Sequence, residues 1–167
     1  MDAIAAIGSS GVSRYARAAA LAGVLLAGAL RAGETGAGEA PAPVAVVREI
    51  DVPELKALMQ REGYAVETDE DGDLVWKIDG FRALLQVDKK KTAIHFRASF
   101  ADSAATMARV NAWNKTKVYS RSYLDDDNDP VLELDLDLEG GVTTARILDF
   151  LKTCRDSFGP WRSEVVK

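Results

Sequence analysis

DPVLELDLDLEGGV, Asp129 to Val142, is the stretch on which the fold of this chain turns. Leu132, Leu134, Leu136 and Leu138 alternate there with Glu133, Asp135, Asp137 and Glu139. Successive side chains of a strand point to opposite faces, so the pattern predicts a strand with a leucine face and a carboxylate face. Each leucine contributes about 1.5–3 kcal/mol when fully covered. The four carboxylates are either a site or the wet side of a sheet. On an extended strand, alternate side chains sit roughly 6.5–7 Å apart. Calcium draws six to eight oxygens to about 2.3–2.6 Å, usually from a curled loop. A flat row does not gather them, and it reads as a solvated face.

The strand before it supports that reading. In KVYSRSYL, Lys117 to Leu124, the residues Lys117, Tyr119, Arg121 and Tyr123 share one phase. With Leu124 opposite Leu132, Arg121 faces Asp135, Lys117 faces Glu139, Tyr119 lies beside Asp137 and Tyr123 beside Glu133. Such opposite-charge pairs contribute about 0.2–1 kcal/mol each. The intervening DDDNDP, Asp125 to Pro130, reads as a turn whose Asp and Asn side chains bond their own backbone. Weak calcium binding at Asp125, Asp127 and Asp129 is the alternative there. An EF-hand loop would need Gly and Glu where Pro130 and Leu136 stand, so that motif fails.

Working outward, Asp51, Pro53 and Glu54 open a helix with a capping box. Leu55, Leu58 and Met59 form its apolar face, and Gly63 stops it. Strands follow over Tyr64–Thr68, Asp73–Asp79, Phe81–Val87 and Thr92–Phe100, with Asp71-Gly72 as a hairpin turn and the basic DKKK, Asp88 to Lys91, as a hairpin tip. Asp102 is expected to cap a second helix, SAATMARVNAWNKT, with Met107 and Val110 on its apolar side and Ala104 and Ala108 close to the sheet. After the hairpin, Gly140-Gly141 lead into a last helix from Val142 to about Phe158. Ile147, Phe150, Leu151, Cys154 and Phe158 share a stripe there, and Gly159-Pro160 are expected to end it. The order α-β-β-β-β-α-β-β-α makes an α+β domain, an antiparallel sheet with helices on one face.

The chain is 167 residues long with 47% hydrophobic content, which fits one domain and a short extra segment. Arg14 and Arg17 precede the apolar run Ala18–Leu30, and small residues follow. That is the plan of a secretory signal peptide, and the run is shorter than the roughly 20 residues of a membrane span. Residues 1–32 are therefore expected to be a cleaved signal, leaving no stable membrane anchor. An uncleaved anchor and a misread start are the alternatives. Residues 33–46 read as a flexible linker, 47–160 as the folded domain and 161–167 as a tail. The localisation that follows is periplasmic or secreted.

Removing residues 1–32 leaves 18 basic and 25 acidic residues, a net charge of −7. That charge carries no electrostatic footprint for nucleic acid. Cys154 is the only cysteine, so no internal disulfide forms, and its place on the apolar stripe predicts burial. His95 is the only histidine. One His and one Cys make no zinc cage, and there is no G-x-S-x-G, GxxxxGK[ST] or GxGxxG. No catalytic residue, cofactor or metal is assigned. Trp113, Tyr119, Arg121 and Tyr123 are the candidate partner-binding patch, since aromatic and Arg side chains dominate interface hot spots. Asn111 and Asn114 are read as capping and stopping the second helix.

The run Asn111–Thr143 resembles the signature half of the YbjN domain family. The matching features are Asn111, Trp113 and Asn114 at a helix end, the strand ending Tyr123-Leu124-Asp125, and the acidic leucine strand entering Gly140-Gly141-Val142-Thr143. Upstream, LKALMQREGYAVE (55–67) and FRALLQV (81–87) fit the same family. The resemblance implies a bacterial sensory transduction regulator with a fold like that of type III secretion chaperones, no enzymatic activity, and a capacity to form homodimers. The expected function is thus a non-catalytic, exported, chaperone-like or regulatory module that binds a protein partner. The alternatives are a periplasmic sensor of a small molecule or calcium and, more remotely, a hydrolase.

Overall fold

The computed structural model describes residues 45–167, so the expected signal segment and nearly all of the linker lie outside the described residues. The acidic leucine stretch forms strand β7, Pro130–Asp137, with Leu132, Leu134, Leu136 and Leu138 all buried. It pairs on one side with β5, Ala93–Ser99, and on the other with β6, Arg121–Leu124. With β2 (Val66–Thr68), β3 (Leu74–Ile78) and β4 (Phe81–Val87) it completes a six-stranded antiparallel sheet in the order β2-β3-β4-β5-β7-β6. The helices cover one face. Helix α1, Val52–Arg61, starts at the Asp51 capping box and buries Leu55, Leu58 and Met59. Helix α3, Thr144–Trp161, lays Ile147, Phe150, Leu151, Cys154 and Phe158 over the inward residues Trp76, Leu85, Ile94, Phe96 and Leu134.

Val46, placed at the end of the linker by sequence, and Val47, the first residue of the expected domain, form the short strand β1 and pair with β8, Val142–Thr143. Gly141 makes this possible. Its φ is +95°, and a Cβ there would lie 2.2 Å from the Val46 side chain. Thr143 then caps α3 by accepting the Arg146 N–H.

Three expectations are corrected. Helix α2 spans Met107–Thr116 and is capped by Thr106, not Asp102. Asp102 has a φ of +53°, and Ala104 donates its N–H to the Val166 carbonyl, so the preceding segment is tied to the C-terminus and not wound into a turn. Val110 and Trp113 are its buried side, while Met107 is 55% exposed and Ala104 and Ala108 face solvent. Gly159-Pro160 do not end the last helix. It runs to Trp161 and continues as a π-helical turn, Arg162–Val166, because Trp161 and Val165 are wholly buried. The expected tail is thereby part of the fold. Finally, β6 begins at Arg121, not Lys117, and the hairpin register is Leu124↔Pro130 and Arg121↔Glu133. The turn sets it: Asp125 donates its N–H to the Asp129 carbonyl, Asn128 takes a φ of +63°, and the Asp125 side chain accepts the N–H groups of Asp127 and Asp129.

Candidate functional site

The register decides where each candidate residue goes. Arg121 faces Glu133, donating from Nε at 2.8 Å, and not Asp135. Tyr123 reaches the same carboxylate through its hydroxyl at 2.7 Å. Asp135 is met from the other side by His95, Nδ1 to Oδ1 at 2.7 Å, and Lys117 pairs with Glu164, not Glu139. The carboxylate row is therefore a solvated face with its charges partly matched. Partial burial alone would push the Glu133 carboxyl up, but the hydrogen bonds from Tyr123 and Arg121 and the charges of Arg121 and Arg97 outweigh it and hold it below the usual range. The same bond to Glu133 raises the Tyr123 phenol.

The four candidate residues do not make one patch. Trp113 is buried among the core side chains and donates its indole N–H to Ser120 Oγ at 3.1 Å, with Lys117 over its ring. Arg121 and Tyr123 lie on the face of the sheet opposite the described helices. Tyr119 shares a cleft with the edge of Trp113 but not with Arg121 or Tyr123, and is 80% exposed at a φ of +65°, next to Val118 at 69%.

That positive φ breaks the strand and leaves β7 with an open edge. The ladder with β6 stops at Glu133, while β7 continues to Asp137. The Ser122 N–H and C=O point away from β7, where the Asn114 side chain takes both, at 2.9 and 2.8 Å. Leu138 points its N–H to Thr92 on the β5 side. Main-chain groups alternate in direction along an antiparallel strand. Those of Asp135 and Asp137 therefore face the side that β6 has vacated, with no strand partner among the described residues. Beside this edge runs a groove of about 480 Å³, with Leu134 and Asp135 on one wall and Arg146, Asp149, Phe150 and Thr153 of α3 on the other. Tyr119 sits at its mouth. A second cleft, about 350 Å³, lies on the other side of the exposed loop, between Trp113, Val118 and Tyr119 and the end of α3. The arrangement offers main-chain pairing beside a mainly polar groove, with Tyr119 as its exposed aromatic side chain.

Sequence reasoning missed two of the residues that build this edge. Asn114 does not stop α2; it closes the outer edge of β6. Ser122 is the only buried polar residue among those described, and its hydroxyl donates to the Val131 carbonyl and accepts the Trp161 indole N–H, both at 2.9 Å. The available signal was a serine on the inward phase of a strand, which buries only when its bonds are met.

The family described as "Putative bacterial sensory transduction regulator", YbjN, matches residues 51–165. No curated protein matches the chain. Among solved structures, YbjN from E. coli, described as "a putative transcription regulator", is 19% identical with a TM-score of 0.54, covering 67% of this chain and 87% of its own. That likeness is one of fold. The type III secretion chaperone SycH of Yersinia pestis, solved in complex with a stable fragment of YscM2, is 16% identical with a TM-score of 0.46, covering 62% of this chain and 92% of its own.

Proposed function

Because the chain belongs to the YbjN family, matched from residue 51 to 165, we propose that it is a non-catalytic protein-binding module, exported from the cytoplasm, that receives an extended segment of its partner along β7. The observation carrying this reading is the open β7 edge beside the exposed Val118 and Tyr119. Strand addition to a sheet edge draws affinity from main-chain hydrogen bonds and specificity from alternate side-chain pockets. An incoming strand would set every second residue across from Asp135 and Asp137, favouring Lys or Arg there. The residues between would turn their side chains into the groove, against Tyr119 and the α3 side chains Arg146, Asp149 and Thr153. Acidic residues on an edge also discourage self-association, so the same charges select a partner and reject a second copy. The N-terminal sequence, with Arg14, Arg17 and the apolar Ala18–Leu30, supports export.

Asp135→Pro tests the edge, since its N–H points away from β5 and Pro is tolerated on an open edge. The variant is expected to keep its circular dichroism and lose binding of a peptide that alternates Lys with Leu or Val, while Asp135→Ala retains most of it. A photo-crosslinking residue at position 119 should label that peptide. Equal binding by Asp135→Pro and wild type would remove strand addition from consideration. Fractionation that leaves the full-length chain in the cytoplasm would remove export.

A further inference from the structure

Basic side chains gather on the face of the sheet opposite the described helices, away from the β7 edge. Lys77 of β3 stands directly opposite Arg82 of β4. Leu84, two residues along β4, stands opposite Arg97 of β5. Side chains two apart share a face, so Arg82 and Arg97 are diagonal neighbours, within reach of one another for long side chains. Like charges directly opposite on a sheet are unfavourable. Lys77 is matched by Glu67 of β2 at 3.1 Å. Arg82 and Arg97 make no ion pair among the described residues. The one carboxylate opposite Arg97 is Glu133, whose Oε2 is held by Arg121 and whose Oε1 by Tyr123. Two guanidiniums with no ion pair among the described residues thus stand on neighbouring strands, Arg97 within the field of Glu133, in a chain whose net charge is −5.

They also line a cleft. It measures about 500 Å³ and is bounded by Arg82, Leu84, Arg97 and Ser99. Beside Leu84 on the same face lies Val75, its cross-strand neighbour, which is fully buried although it belongs to the outward side of β3. The cleft therefore combines two planar five-donor forks, a hydroxyl and an apolar floor. A guanidinium fork matches a carboxylate or phosphate with two parallel hydrogen bonds, and an apolar floor favours a ligand with a hydrocarbon body. We propose that this cleft binds the oxyanion end of a small amphipathic acid, with Arg82 and Arg97 gripping the anion, Ser99 adding a hydrogen bond and Leu84 meeting the apolar body. The reading is independent of partner binding at β7.

Arg82 and Arg97 have a structural alternative, which is that their stems only shield Val75 and Leu84 from water. The experiment separates the two. Acetate, hexanoate and inorganic phosphate are titrated calorimetrically into the full-length protein at low salt. Saturable binding is expected, several-fold tighter for hexanoate than for acetate, and weakened by added sodium chloride. Phosphate binding tighter than acetate would identify a phosphoryl ligand, and the reverse a carboxylic one. Arg82→Gln and Arg97→Gln should each weaken hexanoate binding at least ten-fold, while Lys89→Ala and Lys90→Ala on the hairpin tip leave it unchanged. Arg82→Gln should also unfold at the same midpoint as wild type or higher, since it relieves the opposition to Lys77. A pure shielding role predicts a lower midpoint with no saturable binding. In the wild-type protein, the NMR signals of Arg82 and Arg97 Nε–H should shift on adding hexanoate. Unmoved signals, or no saturable heat up to about 10 mM, would overturn the proposal.

Discussion

Glu133 ties together the side chains around it on the outer face. Tyr123 and Arg121 both donate to it, Arg97 adds its field, and it is only 15% exposed. Its folded pKa is depressed, so the folded state binds the Glu133 proton less readily than the unfolded chain. The linked stabilisation is fully present above about pH 4.3, the ordinary glutamate value, and is lost as pH falls through the folded value. Glu133→Ala is expected to cost about 1–2 kcal/mol at pH 7 and to flatten the stability profile below pH 5, measured by urea unfolding across pH. An unchanged acid limb would show that another carboxylate governs it. Burial, the first cause, pushes the Cys154 thiol well above the usual range, and the side chain is wholly buried as its place on the α3 stripe implies. The protonated, inaccessible thiol is a poor nucleophile. Iodoacetamide should label it at the rate of global unfolding and not faster, and rapid labelling of the folded chain would contradict this.

Between the elements, one side chain substitutes for a strand. The Asn114 amide takes both main-chain groups of Ser122, closing the outer edge of β6 and fastening α2 to it. Asn114→Ala leaves two part-buried polar groups without partners and should cost about 1–3 kcal/mol. Native-state hydrogen exchange at Ser122 should accelerate more than at Val131; uniform acceleration would mean the amide holds no local edge. The same elements show what the sequence could disclose. Leucine–carboxylate alternation and the Asp51–Glu54 capping box are local patterns with one physical reading each, and both stand as read. The β6–β7 register was not legible, because period-two alternation is satisfied equally by pairings that differ by two residues. The Asp125–Asp129 turn chooses between them, through a positive φ at Asn128 that no spacing announces. Nor was the open edge legible. Tyr119 continues the strand phase perfectly, and only the ties of Trp113 to Ser120 and Lys117 to Glu164 pull the chain out of the sheet. Asp102 and Gly159-Pro160 looked like helix signals for good local reasons, and long-range contacts overrode both.

Those long-range contacts converge on the C-terminus. Pro160 lies inside α3, and an interior proline costs about 3 kcal/mol through a lost hydrogen bond and a steric clash. The helix continues past it because of what lies beyond. Trp161 is buried in the core, packs at a tilt against Phe100 with ring centroids 5.9 Å apart and donates its indole N–H to Ser122; Val165 is fully buried; Arg162 sits 3.3 Å over the Phe81 ring. Val166 holds the segment before α2, and Glu164 holds the loop after it through Lys117. Trp161→Ala should therefore cost about 3–5 kcal/mol, a large share of the roughly 5–15 kcal/mol that stabilises a typical domain. Pro160→Ala, which restores the missing donor at an exposed position, should raise stability by about 1–3 kcal/mol. A chain ending at Gly159 loses Trp161, Val165 and both ties to α2 together, so it is expected to show no cooperative urea transition at 25 °C and to expose tryptophan fluorescence from Trp113. The seven-residue stretch first read as a tail would then be the clasp joining α2, β6 and α3. A truncated chain that unfolds at the full-length midpoint would return it to being a tail.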